Sequence, residues 1–221
     1  MAYVYRVGSK RNLHEIFSVN TNIIILNLIL FIAFGILLGA KIFSIDSVAI
    51  KPANILAGKY LWTFFTSMFM HAGFFHLFAN MFSLFFIGGL VQRILGQKRF
   101  LYFYLISGLF AGLLFVLSGL FSPTDMETYA VGASGALFGL VGFLVIITPN
   151  LPVYVMLIPI PIKMKYAGPG ILILLWFISK AGNVPIGNMA HFGGLICGLV
   201  YGIYLRNKYK NKTREIRKFF S

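Results

Sequence analysis

The chain has 221 residues, 59% of them hydrophobic and 11% charged, with 19 Lys and Arg against five Asp and Glu, a formal net charge of +14. Its mean hydropathy of +0.86 is more apolar surface than a soluble globule of this size can hide, and disorder needs the opposite composition. The class implied is an integral membrane protein, in which Lys and Arg mark orientation first rather than a nucleic-acid partner.

About 20 apolar residues cross a bilayer as a helix, and in chain order six spans are expected. Span 1 runs from about Asn22 to Ala40 and span 2 from about Phe74 to Val91. Span 3 runs from about Phe100 to Phe121, and span 4 starts near Ser134 and ends before Pro149. Span 5 lies within Tyr166 to Ser179, with Pro169 near its start, and span 6 runs from about Asn188 to Leu205. The apolar stretch Trp62 to Met70 is too short to cross and reads as interfacial or re-entrant. Leu151 to Pro161 carries Pro152, Pro159 and Pro161 and makes a poor continuous helix. The first twenty residues do not read as a cleavable signal peptide. The organisation expected is therefore a cytoplasmic segment over residues 1–21, a six-span unit over 22–205 and a basic cytoplasmic tail over 206–221. The fold class is an all-α six-helix membrane bundle.

The cations set the orientation. The N-terminal segment holds Arg6, Lys10 and Arg11, the loop after span 2 holds Arg93, Lys98 and Arg99, the loop after span 4 holds Lys163 and Lys165, and the tail holds seven. That is fifteen on one side. The other side has four: Lys41, Lys51, Lys59 and Lys180. By the positive-inside rule both termini are cytoplasmic, and the sequon at Asn211 lies on the side where it is not glycosylated. The basic tail reads as a topology determinant and a contact for anionic lipid. The single Cys197 cannot form an intramolecular disulfide and reads as a small buried hydrophobe.

Polar residues inside such spans are costly and mark function. His76 and Asn80 stand at i and i+4 on one face of span 2. Ser134 opens span 4, and His191 lies near the start of span 6. With the N-terminus inside, spans 2, 4 and 6 all enter from the outside, so these four residues share one depth in the outer half of the membrane. Small residues say which helices touch. Gly135 and Gly139 form one GxxxG, with Gly142 a turn on, and Gly194, Gly198 and Gly202 form two more. Such faces let helix backbones approach closely in lipid, which places Ser134 and His191 at the same end of one seam. A Ser hydroxyl beside a His imidazole is the minimum for nucleophilic catalysis. His76, Asn80 and the backbone N–H of Ser134 are candidate donors to an oxyanion.

This pattern resembles the rhomboid intramembrane serine proteases. The resemblance rests on His76-x3-Asn80, on Gly132-Ala133-Ser134-Gly135, and on Ala190-His191-x2-Gly194-x3-Gly198, in the same order over roughly Trp62 to Gly202. It implies cleavage of peptide bonds in or near transmembrane segments by a Ser134–His191 dyad with no third acid. His76, Asn80 and Ser134 would form the oxyanion hole. It further implies single-span transmembrane substrates, with membrane lipids but no nucleic acid as partners, and no metal or cofactor. The expected setting is a prokaryotic cell membrane, with the site in its outer half.

The chain departs from the family pattern at three positions. Gln92 stands where an acid is common, Trp62-Thr63 replaces Trp-Arg, and Phe138 replaces the Tyr that stacks on the catalytic His. Three other readings compete with proteolysis. A rhomboid-like client-binding chaperone lacks the Ser or His, and a transporter lacks support because no inverted repeat is visible. His71, five residues before His76, reads as structural or interfacial, and no HExxH supports a zinc site.

Overall fold

The computed structural model describes residues 18–155, 159–182 and 186–220. Arg6, Lys10 and Arg11, used above for orientation, lie outside the described residues, as does Pro185 in the loop before the last long helix. The elements are α1 (Val19–Gly39), α2 (Pro52–Leu56), α3 (Thr63–Thr66), α4 (Phe74–Leu95), α5 (Gln97–Ser118), α6 (Pro123–Glu127) and α7 (Ser134–Ile147). They continue with the strands β1 (Pro152–Val153) and β2 (Ile162–Lys163), then α8 (Met164–Gly182), α9 (Asn188–Lys208) and α10 (Lys210–Phe219).

Among the described residues four helices, α1, α4, α5 and α9, are long and apolar enough to cross a membrane. Helix α7 has only 14 residues, roughly 21 Å at 1.5 Å per residue, which is shorter than a hydrocarbon core of about 30 Å. It is instead the axis of the bundle: Gly135 through Leu144 and Ile147 are all buried. Helix α8 has 19 residues and contains Pro169. It leans on α7 where Gly168 meets Val141 and Val145. The expected poor helix at 151–161 is replaced in part by a two-residue antiparallel pairing, Pro152 with Lys163 and Val153 with Ile162. Prolines are tolerated there because such a short pair leaves their missing donors at an edge.

The centre is a three-helix sandwich of α5, α7 and α9. A Cβ on Gly194 would collide with the carbonyl of Gly135, and one on Gly198 with the carbonyl of Gly139. On its other side α7 meets α5, where Gly135 lies against Ala111 and Gly139 against Ser107. Backbone-to-backbone contact of this kind supplies the packing that lipid cannot drive by itself. Phe100, Tyr104, Leu140, Phe143 and Leu144 fill the layer below and are fully buried.

Helix α1 is peripheral. Ser18 caps its start by accepting from the Thr21 N–H. Ile29, Ile32 and Ile36 are exposed, while Asn20, Ile23 and Asn27 face inward. Asn20 joins α1 to α4 twice: its Nδ2 donates to the Leu84 carbonyl at 3.0 Å, and its backbone N–H donates to Oε1 of Gln92 at 2.7 Å. Leu84 opens a π-helical turn, Leu84–Gly88, inside α4. Such a turn disturbs the regular ladder, and in a membrane each backbone group needs a partner within the protein. Gln92, a departure from the family pattern, thus helps to tie α1 to α4.

The segment between α1 and α4 is folded on its own terms. Trp62 Nε1 donates to the Ser47 carbonyl at 2.9 Å, and Thr66 Oγ1 donates to the Val48 carbonyl at 3.1 Å. The Trp62 ring is exposed, consistent with an interfacial position. Met68 and Phe64 pack against Gly108 and Gly112 of α5.

Candidate active site

The loop before α7 turns sharply into the helix. Gly132 has φ +113°, a conformation that favours glycine, and its N–H donates to the Ser67 carbonyl at 2.8 Å. A Cβ at Gly132 would lie 2.7 Å from Cε1 and 2.8 Å from Nε2 of His76. Glycine is required at this position both by the backbone and by the neighbouring ring. Upstream, Ala130 and Ile50 exchange two backbone hydrogen bonds, of 2.9 and 3.1 Å.

The segments around Asp46 and Tyr129 are clasped beside this bridge. Asp46 Oδ1 accepts from Asn54 Nδ2 at 2.6 Å and from the Tyr129 hydroxyl at 2.7 Å. Lys51 pairs with Glu127 at 2.6 Å. The Tyr129 and Asn54 donors hold the Asp46 carboxyl below its usual range, Tyr129 contributing most. Burial and then the Asp46 carboxylate push the Tyr129 hydroxyl up.

Ser134 is the first residue of α7. Its Oγ lies 2.8 Å from Nε2 of His191. The α7–α9 seam produces this contact, because Gly135 and Gly194 meet one step further in. His191 is buried, and Phe138, one turn along α7, stacks on its ring at 4.7 Å and 26° between planes. The expected replacement of a stacking Tyr by Phe therefore keeps the ring contact.

His76 and Asn80 approach from α4. Nδ1 of His76 accepts from the Ala72 N–H at 3.4 Å. That contact fits the tautomer with its ring proton on Nε2, the atom facing Gly132. Asn80 is buried, and its Nδ2 donates to the His76 carbonyl at 2.8 Å while lying 3.8 Å from the Cβ position of Gly132. The four residues singled out in the sequence are thus brought together around the start of α7. The first N–H groups of that helix have no partners within it, so open backbone donors lie beside the Ser134 hydroxyl at the start of α7. His71 is buried beside His76, ring centroids 5.2 Å apart, in keeping with a structural placement. Among the described residues no three His, Cys, Asp or Glu side chains are grouped to hold a metal ion.

The Asp46–Tyr129–Asn54 clasp and the Ile50–Ala130 bridge carry no signal in the sequence. Asp46 and Tyr129 stand 83 positions apart, and Ile50 and Ala130 are similarly distant, with no periodicity to reveal either pairing. Gly132 was visible only as part of GASG.

The rhomboid domain model matches residues 58–208. The chain belongs to the rhomboid family. RHOMBOID-like protein 1 of Arabidopsis thaliana is 36% identical over 170 residues, which is 75% of this rhomboid and 40% of that protein. The putative rhomboid protease YdcA of Bacillus subtilis is 31% identical over 128 residues, 58% of this chain and 61% of its own length. Rhomboid protease GluP of the same bacterium is 32% identical over 152 residues, 67% of this chain and 27% of its own. This rhomboid spans less than two thirds of the length of each. The relatives come from a plant as well as a bacterium, so they place the chain in a membrane without pointing to a prokaryotic one.

Proposed function

We propose that this rhomboid is an intramembrane serine endopeptidase that cleaves single-span membrane proteins in or near their transmembrane segments. The observation that carries the reading is the 2.8 Å contact between Ser134 Oγ and His191 Nε2. In the proposed reaction His191 Nε2 takes the hydroxyl proton as Oγ bonds to the scissile carbonyl carbon. The oxyanion sits among His76 Nε2–H, Asn80 Nδ2 and the Ser134 N–H. Collapse breaks the C–N bond, and His191 returns its proton to the leaving amine. Water then attacks the acyl-enzyme, with His191 as base, and the ester C–O bond breaks to restore Ser134.

Phe138 holds the imidazole plane during both steps. Among the described residues no carboxylate meets the ring, so the aromatic face takes over part of that task. The proposal includes six spans over residues 22–205, both termini in the cytoplasm and the dyad in the outer half of the membrane. The proposed substrates unwind locally to reach Ser134, because an extended backbone is tolerated at membrane depth only inside a protein-lined cavity.

A client-binding role without catalysis is the competing reading. The assembled Ser–His pair weighs against it, since binding a client requires neither group. The test is incubation of the purified chain with a transmembrane model substrate. Cleavage should fall by at least about 1,000-fold in Ser134→Ala and in His191→Ala. Cleavage that survives either change rejects the assigned roles.

A further inference from the structure

At the opposite end of α7 from Ser134, the chain folds back on itself. Helix α10 follows α9 after Tyr209 and lies under the C-terminal end of α7. Thr213 is buried, and Tyr209 and Ile216 pack against the core. The other face of α10 is basic. Arg217 is half-buried and reaches the end of α7, where its Nη2 donates to the Ile146 carbonyl. Its Nε is buried with no acceptor among the described residues. Between α10 and the residues after α7 lies a cavity of about 260 Å³, lined by Thr148, Asn150, Arg214, Arg217, Lys218 and Phe220, among others, and by no Asp or Glu among the described residues. The acid nearby is Glu215, which pairs with Lys218 at 3.0 Å. Burial, and after it the charge of Arg206, pushes the Arg217 guanidinium down, so a further cation adds to the local potential.

We propose that this cavity binds the phosphate of an anionic lipid headgroup. Two guanidinium groups, Arg214 and Arg217, line it, and their planar forks suit phosphate oxygens; Lys218 stands beside them, paired with Glu215. Thr148 and Asn150 add short polar groups to the same lining. The bound group has to balance that charge, and a phosphodiester does so. Two observations point to lipid rather than to free phosphate. Helix α10 follows a membrane-spanning helix directly, and it carries exposed Phe219 (74%) beside its cations. An amphipathic basic helix in that position lies in the headgroup layer. The site stands some 21 Å from Ser134 by helix rise and does not depend on the chain being a protease. Its consequence is a lipid clamp on the inner ends of α7 and α10, which steadies the seam whose outer end holds the Ser–His pair.

The test uses the full chain in neutral detergent, titrated with phosphatidylglycerol, with phosphatidylcholine or with inorganic phosphate, and native mass spectrometry as the readout. Phosphatidylglycerol should bind in preference to the other two. The triple variant R214Q/R217Q/K218Q should weaken that binding by about tenfold, and K208Q/K210Q/K212Q, with the same net charge, by less than about twofold. Equal loss in both triple variants would mean diffuse attraction and overturns the site. Equal binding of phosphatidylcholine overturns the headgroup assignment, and saturation by millimolar phosphate without lipid preference overturns the lipid source. Should the triple variant not fold, Arg214→Gln alone, at an exposed side chain, should lower affinity about threefold, and unchanged binding there rejects the proposal.

Discussion

The α7–α9 seam and helix α1 are held by opposite means. In the seam, glycines at 135, 139, 194 and 198 bring two backbones into contact, and nothing larger fits. Helix α1 offers a broad apolar face to the surroundings and is tied by Asn20 through two hydrogen bonds. A Cβ on Gly35 or Gly39 of α1 would meet nothing within 4 Å among the described residues. The contrast shows how a membrane protein divides its labour. Lipid gives helices no apolar reason to associate, so a fixed geometry has to come from close backbone contact, while a helix attached by a few polar bonds is free to vary. The proposed dyad sits on the seam, where relative helix position is set most tightly.

The contrast can be broken most severely at the seam. Gly198→Val places two methyls against the Gly139 carbonyl. It should cost at least about 1–3 kcal/mol, lower the melting temperature and abolish cleavage. Wild-type activity and melting temperature in that variant would refute close packing as the source of the geometry. Phe138→Leu should come next. Losing the stacked ring from His191 should lower cleavage by about tenfold, worth roughly 1.4 kcal/mol, whereas Phe138→Tyr keeps the ring and should stay within about twofold of wild type.

Asn20→Leu probes the other region. It leaves the Leu84 carbonyl without that donor, at a cost of about 1–3 kcal/mol in thermal stability. Labelling of Ser134 by a serine-directed probe should persist, and its loss would show that α1 and the seam are not separable. The outer clasp gives a smaller, pH-dependent effect. The Asp46 carboxyl is depressed, so its contribution is present above the unfolded value of about 3.9 and is lost as pH falls through the folded value. Wild type should therefore exceed Asp46→Asn in thermal stability at neutral pH, and the gap should narrow as the pH falls below the unfolded value; a constant difference on acidification contradicts the clasp. Gly35→Ala, on the open side of α1, is the mildest change. It should leave activity unchanged and stability equal or higher by up to about 1 kcal/mol.

What was legible in the sequence follows the same division. The seam was readable because GxxxG spacing reports backbone approach directly, and His76, Asn80, Ser134 and His191 stood out against an apolar background. The stack of Phe138 on His191 was expected only from the family resemblance, in which an aromatic ring stands four residues after the Ser. The shortness of α7 was hidden, because a 14-residue apolar run reads alike whether lipid or neighbouring helices surround it. The π turn at Leu84 was hidden too, since Asn20 meets its carbonyl from sixty-four positions away. The basic tail carried its charge openly, but its return to the end of α7 depends on Ile216 and Thr213 facing inward. That inward face became visible only once α10 was placed.

The central claim is that the α7–α9 seam makes Ser134 a nucleophile by delivering His191 to it. Labelling of the purified chain with a fluorophosphonate probe tests this most directly. The account predicts labelling of wild type and none in either Ser134→Ala or His191→Ala. Labelling of His191→Ala at the wild-type rate, or its absence from folded wild type in lipid, would contradict it.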